Sequence, residues 1–139
     1  MALSQVTVFI GNKEGRIEKV TEVLQQNSID IISLSLAESV DFGLLRLIVK
    51  EPEKTKDVLK EAGMTAKLNH VVAVEIDNKP GALHSLLSAL RSYNIEYMYV
   101  LNAKEKASMI LRIKDHEDAE SVLNTKGFKL ISQKDILNL

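Results

Sequence analysis

No cysteine occurs among the 139 residues, which excludes disulfides, thiolate metal sites and cysteine nucleophiles together. The three histidines, His70, His84 and His116, are scattered with no metal-ligand spacing, so no metal and no cofactor is expected. Neither sign of charge prevails. Residues 1–69 carry nine Lys/Arg and ten Asp/Glu, and residues 70–139 carry nine of each, so the basic footprint of a nucleic-acid binder is missing. Aromatics are 4% of the chain; on the strands where an RNA-binding sheet stacks bases, Phe9 stands alone and its counterpart is Glu75. The start resembles no signal peptide and no apolar run reaches membrane-spanning length, so no membrane partner is expected and a cytoplasmic location is the default. With 45% hydrophobic and 27% charged residues, the composition is that of an ordinary globular protein.

What is present is said twice. Val8-Phe9-Ile10-Gly11-Asn12-Lys13-Glu14-Gly15-Arg16-Ile17 returns, 66 residues on, as Val74-Glu75-Ile76-Asp77-Asn78-Lys79-Pro80-Gly81-Ala82-Leu83. The same shift pairs Leu24 with Leu90, Ile29 with Ile95 and Arg46 with Arg112; it falls to 64 where Gly63 meets Gly127. A repeat this long is a small domain rather than a solenoid unit.

In the first copy, Val6, Val8 and Ile10 alternate as on a half-buried strand. A helix opens at Lys13-Glu14-Gly15, with Ile17, Val20 and Leu24 on one face, and ends at Asn27-Ser28. Strands are expected from Ile29 to Leu36 and from Leu44 to Val49, with Asp41-Phe42-Gly43 as the hairpin turn between them. Pro52 starts a second helix whose Val58, Leu59 and Ala62 face inward and which Gly63 caps. A short strand over Met64–Leu68 closes the unit. The second copy reads alike: strand 71–76, a helix from Pro80 with Leu83, Leu86, Leu87 and Leu90 on one face, strands 95–102 and 108–113, helix 117–126 and a strand from Phe128. The fold class is therefore α+β. Two tandem ferredoxin-like βαββαβ units are expected, at 1–69 and 70–139, with antiparallel sheets and the helices on one face. Asn69-His70 joins them without a linker, which argues for units docked side by side.

The turn before the first helix of each unit carries the chemistry. Unpaired N–H groups and the positive end of the helix dipole make such a turn a site for negative charge. Glycine there either lets a ligand approach the amides or lets helix pack closely on sheet. The phosphate-loop endings and three-glycine pattern are absent, and Asp77 stands where a phosphate would be repelled. Amides beside a carboxylate suit a ligand of both charges, such as an amino acid.

Asp77-Asn78-Lys79-Pro80-Gly81-Ala82-Leu83, with Tyr93-Asn94-Ile95-Glu96-Tyr97 following, resembles the core motif of the ACT domain, a small regulatory module that binds amino acids. The first copy keeps Gly15 but has Glu14 for the Pro, Gly11 for the Asp and Ser28-Ile29 for the Asn-Ile pair. The resemblance is to free-standing tandem ACT proteins, and it implies ligand sites where one unit's turn faces the second strand of its neighbour. Carried over residue by residue, it names Asn12, Lys13, Glu14, Gly15, Arg16 and Ile17, and Asp77, Asn78, Lys79, Pro80, Gly81, Ala82 and Leu83. Ser28, Ile29, Asn94 and Ile95 are the facing candidates. Ile17, Leu83 and Ile95 incline the site to aliphatic or ring-bearing amino acids.

The expected function is a non-catalytic sensor that binds a small amino acid, with a second copy of the chain or a separate enzyme as partner. The alternatives are the regulatory subunit of an amino-acid biosynthetic enzyme and, with less support, an acylphosphatase-like enzyme, for which Arg16 has only Ala82 as its counterpart. No catalytic residue is named. Arg46 and Arg112 are placed on the sheet face away from the helices, with Arg112 expected to pair with Glu75 across strands. Tyr97 and Tyr99 share a face suited to an interface. Lys104-Glu105-Lys106 reads as a solvated hairpin.

Overall fold

The computed structural model of the chain describes residues 3–11, 13–38 and 41–139. It divides into one compact unit of Ser4–Asn69 and another of His70–Leu139 together with Leu3.

In the first unit, β1 (Leu3–Gly11), β2 (Ile31–Glu38) and β3 (Phe42–Val49) join the first residues of β4 (Thr65–Asp77) in the order β2-β3-β1-β4. The β1–β3 and β2–β3 pairings are antiparallel, with Thr7 opposite Arg46 and Leu34 opposite Leu47. Helices α1 (Arg16–Gln26) and α2 (Pro52–Glu61) lie over one face. Alternation has decided which residues go under them: Val6, Val8, Leu45, Leu47 and Val49 meet Val20, Leu24 and Leu59 in one buried cluster. On the other face, buried Gln5 donates to Thr7 Oγ1 at 2.9 Å and Thr7 donates to Asn69 Oδ1 at 2.6 Å, so these polar groups are satisfied rather than stranded.

The second unit repeats the plan. The later part of β4 pairs with β6 (Lys106–Arg112), which pairs with β5 (Tyr97–Ala103), while β7 (Lys129–Leu130) flanks β4 on its other side. Val72, Val74, Met109, Leu111 and Ile113 bury themselves under α3 (Ala82–Ala89) and α4 (His116–Thr125), through Leu86, Leu90, Ala119 and Leu123. The phenol of Tyr93, just past α3, donates to Asp118 of α4. That bond, aided by desolvation, pushes the phenol up to about 12. A short helix, α5 (Gln133–Ile136), follows. Ser132 and Asp135 close it with a capping box, which holds the Asp135 carboxyl below its ordinary value, and Ile136 is fully buried.

Several expectations need correction. Thr65–Asp77 is one unbroken strand rather than two. Phe42 and Gly43 are paired residues of β3, so only Asp41 of that triplet lies outside the strand. Ala62 is exposed because α2 turns it outward. Pro80 and Gly81 lie in the turn, and α3 begins at Ala82. Ser28-Ile29 and Asn94-Ile95 precede β2 and β5 rather than opening them. Ile17 and Leu83, first-turn residues expected on the inward faces, are 40% and 36% exposed. Arg112 does not pair with Glu75. Register puts Glu75 opposite Ser108, and Arg112 bonds Glu96 at 3.3 Å and the His70 carbonyl at 2.7 Å; Glu75 meets Lys129 at 3.8 Å.

Candidate functional site: the strand-to-helix turns

Gly15 and Gly81 are the N-caps of α1 and α3, at φ +79° and +89°, and neither helix has a side-chain cap. A Cβ at either position would meet nothing within 4 Å. Close packing of helix on sheet is therefore not the reason for these glycines. The backbone itself calls for them, since an L side chain in this conformation costs roughly 1–2 kcal/mol. The consequence is a helix start with no side-chain cap and open space above it. The Arg16 and Ala82 N–H groups turn back to the Lys13 and Lys79 carbonyls at 3.4 and 3.2 Å, so it is the later first-turn amides that such a start offers to an anion.

In the second unit this turn borders a cavity of about 540 Å³. Asp77, Lys79, Pro80, Gly81 and Ala82 form one wall; Ser85 of α3, Lys106 of β6, Glu75 and Ile76 of β4, and Gly127-Phe128-Lys129 form the rest. Asp77 holds the turn to the β5–β6 hairpin by an ion pair with Lys106, and Lys79 approaches it at 3.6 Å. The hydrogen bond from Lys106 is the main reason its carboxyl sits below the ordinary carboxylate value, and Lys106 is raised in return. Asn78 completes the tie: its amide N–H donates to Glu105 O at 3.2 Å and its Nδ2 to Lys104 O at 2.8 Å. The exposed Lys104-Glu105-Lys106 hairpin is thus also the clamp of the turn.

In the first unit the cavity at the turn is about 250 Å³ and is lined by Ile10, Gly11, Lys13, Arg16, Ile17, Leu36, Ala37, Glu38 and Gly43, so it opens on the β2–β3 side of the turn and not on the side equivalent to the second unit's cavity. Gly11, where the second copy has Asp77, lies beside the Arg16 guanidinium, and a Cβ there would make ordinary contact with Arg16 Nε at 3.6 Å.

The sequence-derived residues divide accordingly. Lys13, Arg16 and Ile17 line the first cavity; Asp77, Lys79, Pro80, Gly81 and Ala82 line the second. Gly15 caps the first turn without lining its cavity, Glu14 stands beside it, and Asn78 and Leu83 lie outside the second cavity's wall. Asn12 falls outside the described residues. Ser28 and Ile29 border a separate shallow hollow with Thr21, Gln25 and Ile31. Ser28 closes α1 in the left-handed conformation, φ 55°, with its N–H on Gln25 O and that of Ile29 on Leu24 O. Ile95 packs against the second core, and Asn94 precedes β5. Within its own unit, none of these four reaches the turn. At the second cavity, reasoning from sequence missed Glu75, Ile76, Ser85, Lys106, Gly127, Phe128 and Lys129. Glu75, Ile76 and Ser85 flank the turn on β4 and α3, whereas Lys106 and residues 127–129 come from distant elements, of which only the 64-residue return of Gly63 as Gly127 marked the last.

A second recurrent feature is apolar. Leu34 and Leu36 on edge strand β2 are 52% and 49% exposed, and Met98 and Val100 on edge strand β5 are 39% and 48% exposed. Their register partners, Leu47, Leu45, Leu111 and Met109, are core residues, so these side chains stand on the helix side of each sheet. Tyr97 and Tyr99 stack on the opposite face of β5, ring centroids 6.4 Å apart. Among the described residues, no His/Cys/Asp/Glu group is arranged to hold a metal, and no helix is long and apolar enough to cross a membrane.

Comparison with known proteins fits this architecture. Residues 1–139 match the family described as the ACT domain pair. Protein BT0572 from Bacteroides thetaiotaomicron has a crystal structure that superimposes with a TM-score of 0.93 at 35% identity, covering 100% of this chain and 98% of that one. The regulatory subunit of aspartate kinase from Thermus thermophilus, in its ligand-free form, gives 0.66 at 18% identity over 91% of this chain and 94% of that one. The Thermus flavus regulatory subunit gives 0.62 at 18% over 89% and 90%; these two show the fold alone. A comparison with curated proteins returns no match.

Proposed function

The chain belongs to the ACT-domain family as a domain pair, and from that premise we propose that it is a non-catalytic regulatory protein that binds a small amino acid at the strand-to-helix turns. Residues 1–69 and 70–139 are its two ACT domains. The observation that carries the reading is the cavity beside the second unit's uncapped helix start, lined by the left-handed Gly81, together with the recurrence of that left-handed glycine start at Gly15 in the first unit. In the second unit, the amides following Gly81 take the ligand carboxylate. Asp77 shapes the turn through Lys106 rather than standing ready for the ligand's ammonium. Lys13, Arg16 and Ile17 do the corresponding work in the first unit. Ser28, Ile29, Asn94 and Ile95 contribute through ordering of the helix-to-strand connections.

The exposed apolar residues on edge strands β2 and β5 support a protein partner as the recipient of the signal. A second copy of the chain is one such partner. A separate biosynthetic enzyme is the other, and the aspartate kinase regulatory subunits give that reading its precedent. The protein works in the cytoplasm.

Thermal-shift screening of the purified chain against the amino acids tests the proposal. A ligand at about 100 times its dissociation constant adds roughly 2.7 kcal/mol to the folded state, a shift easily read. A panel in which no amino acid raises the midpoint defeats the reading. Acyl-phosphate hydrolysis that is lost in Arg16→Ala would replace it with an enzyme.

A further inference from the structure

Among its described lining residues, the cavity of the second unit has three lysines, Lys79, Lys106 and Lys129, against two carboxylates, Asp77 and Glu75. Their pairing is unequal. Lys106 and Asp77 are tightly bonded, while Lys79 stands 3.6 Å from Asp77 and Lys129 stands 3.8 Å from Glu75. Those two lysine side chains are 69% and 70% exposed. They hang from different elements, one on the turn and one on β7, so the cavity has a loosely held ammonium on each of two walls. The smaller cavity has the same sign of excess: Lys13 and Arg16 against Glu38. A neutral amino acid carries no net charge to match such a surplus, whereas a ligand with two carboxylates does, and complementarity of this kind decides which ligand is accepted. The apolar residues that inclined the sequence toward aliphatic ligands do not oppose this, because Leu83 and Ile95 do not line the cavity.

We propose that the cavity beside Gly81 selects small dicarboxylates, acidic amino acids among them, with one carboxylate on the turn beside Lys79 and the other on Lys129. This rests on the proposed turn site and specifies its ligand class. On binding, Lys129 exchanges its long contact with Glu75 for the ligand, and the Lys106–Asp77 clamp stays closed.

Calorimetric titration with isosteric pairs is the test: aspartate against asparagine and glutamate against glutamine, with succinate and lysine as further probes. The acids should bind about five-fold tighter than their amides, or better, as expected for one charge-assisted bond in a partly exposed site. The preference should shrink as salt is raised from about 0.01 M to 1 M. Lys129→Gln should bring the acid down to the affinity of its amide. Binding of succinate would make dicarboxylates the class; its exclusion would narrow the class to acidic amino acids. Equal binding of acid and amide, or preference retained in Lys129→Gln, overturns the assignment. If neutral amino acids or lysine bind instead, with loss in Gly81→Ala, the selectivity fails while the turn site stands. Silence from every probe and every amino acid removes the turn site as well.

Discussion

Replacing Gly81 with alanine separates two roles that the residue combines. Its φ is +89°, and a Cβ built there meets nothing within 4 Å, so the substitution costs backbone strain and no steric clash. Left-handed conformation costs an L residue roughly 1–2 kcal/mol. The smaller conformational entropy of unfolded alanine returns about 0.5–1 kcal/mol of that. The net loss is about 1 kcal/mol, a fall in melting temperature of roughly 3–6 °C for a chain of this size. Gly63 provides the control. It has φ +85° and the same open space, and it lines none of the cavities described above. Gly63→Ala should therefore lose the same stability. Only Gly81→Ala puts a methyl group on the cavity wall, beside the amides that take the ligand carboxylate. Losing one charge-assisted hydrogen bond there should weaken binding roughly ten-fold or more. The assay is thermal denaturation paired with calorimetric titration of both variants. If Gly63→Ala weakens binding as much as Gly81→Ala, the effect is general loosening. If neither does, Gly81 serves the turn and not a ligand.

Other outcomes follow from single residues. Ser28 adopts φ 55° at the end of α1, so Ser28→Gly should raise stability by about 0.5–1 kcal/mol in urea denaturation. Tyr93 holds its proton up to about 12 through Asp118, so the folded state binds more protons than the unfolded one above the ordinary phenol value of 10.0. Its contribution is complete below that value and lost as pH rises toward 12. Ultraviolet titration should show a late phenol that Tyr93→Phe removes. Asp77 is shifted the other way, chiefly by the hydrogen bond from Lys106, so its contribution is present above the ordinary 3.8 and lost as pH falls through the lowered value. Protection of the Asn78 amide, relative to its intrinsic exchange rate, should fall across that acid window, and Asp77→Asn should abolish this change in protection.

Much of this was legible because it is periodic. Alternation in Val6, Val8 and Ile10, and in Val72 and Val74, reflects the sheet face packed under the helices, and the helix spacings of Val20, Leu24, Leu86 and Leu90 reflect the same two cores from above. That the opposite face is buried too, at Gln5, Thr7, Ile48, Val71, Ala73 and Ile110, is not written in that alternation. Gly15 and Gly81 were conspicuous for recurring, yet their reason, a left-handed N-cap, is a backbone angle that no residue pattern states. Asp77 was read as an open carboxylate because its partner Lys106 lies 29 residues away, across a register fixed only when β4 and β6 pair. The same dependence on register misassigned Glu75: β7, only two residues long, sets Lys129 opposite it. Ile17 and Leu83 satisfied a helical face but fall on the first turn, beyond the reach of the core.

Amide chemical shifts of the labelled protein, followed as an amino acid is titrated to saturation, test the central claim most directly. The account predicts saturable shifts concentrated at residues 79–85, at Lys106 and at 127–129, with a weaker set at residues 13–17. Shifts concentrated instead along β5, or on the hollow around Ser28 and Ile29, with the Gly81 turn unmoved, would contradict it.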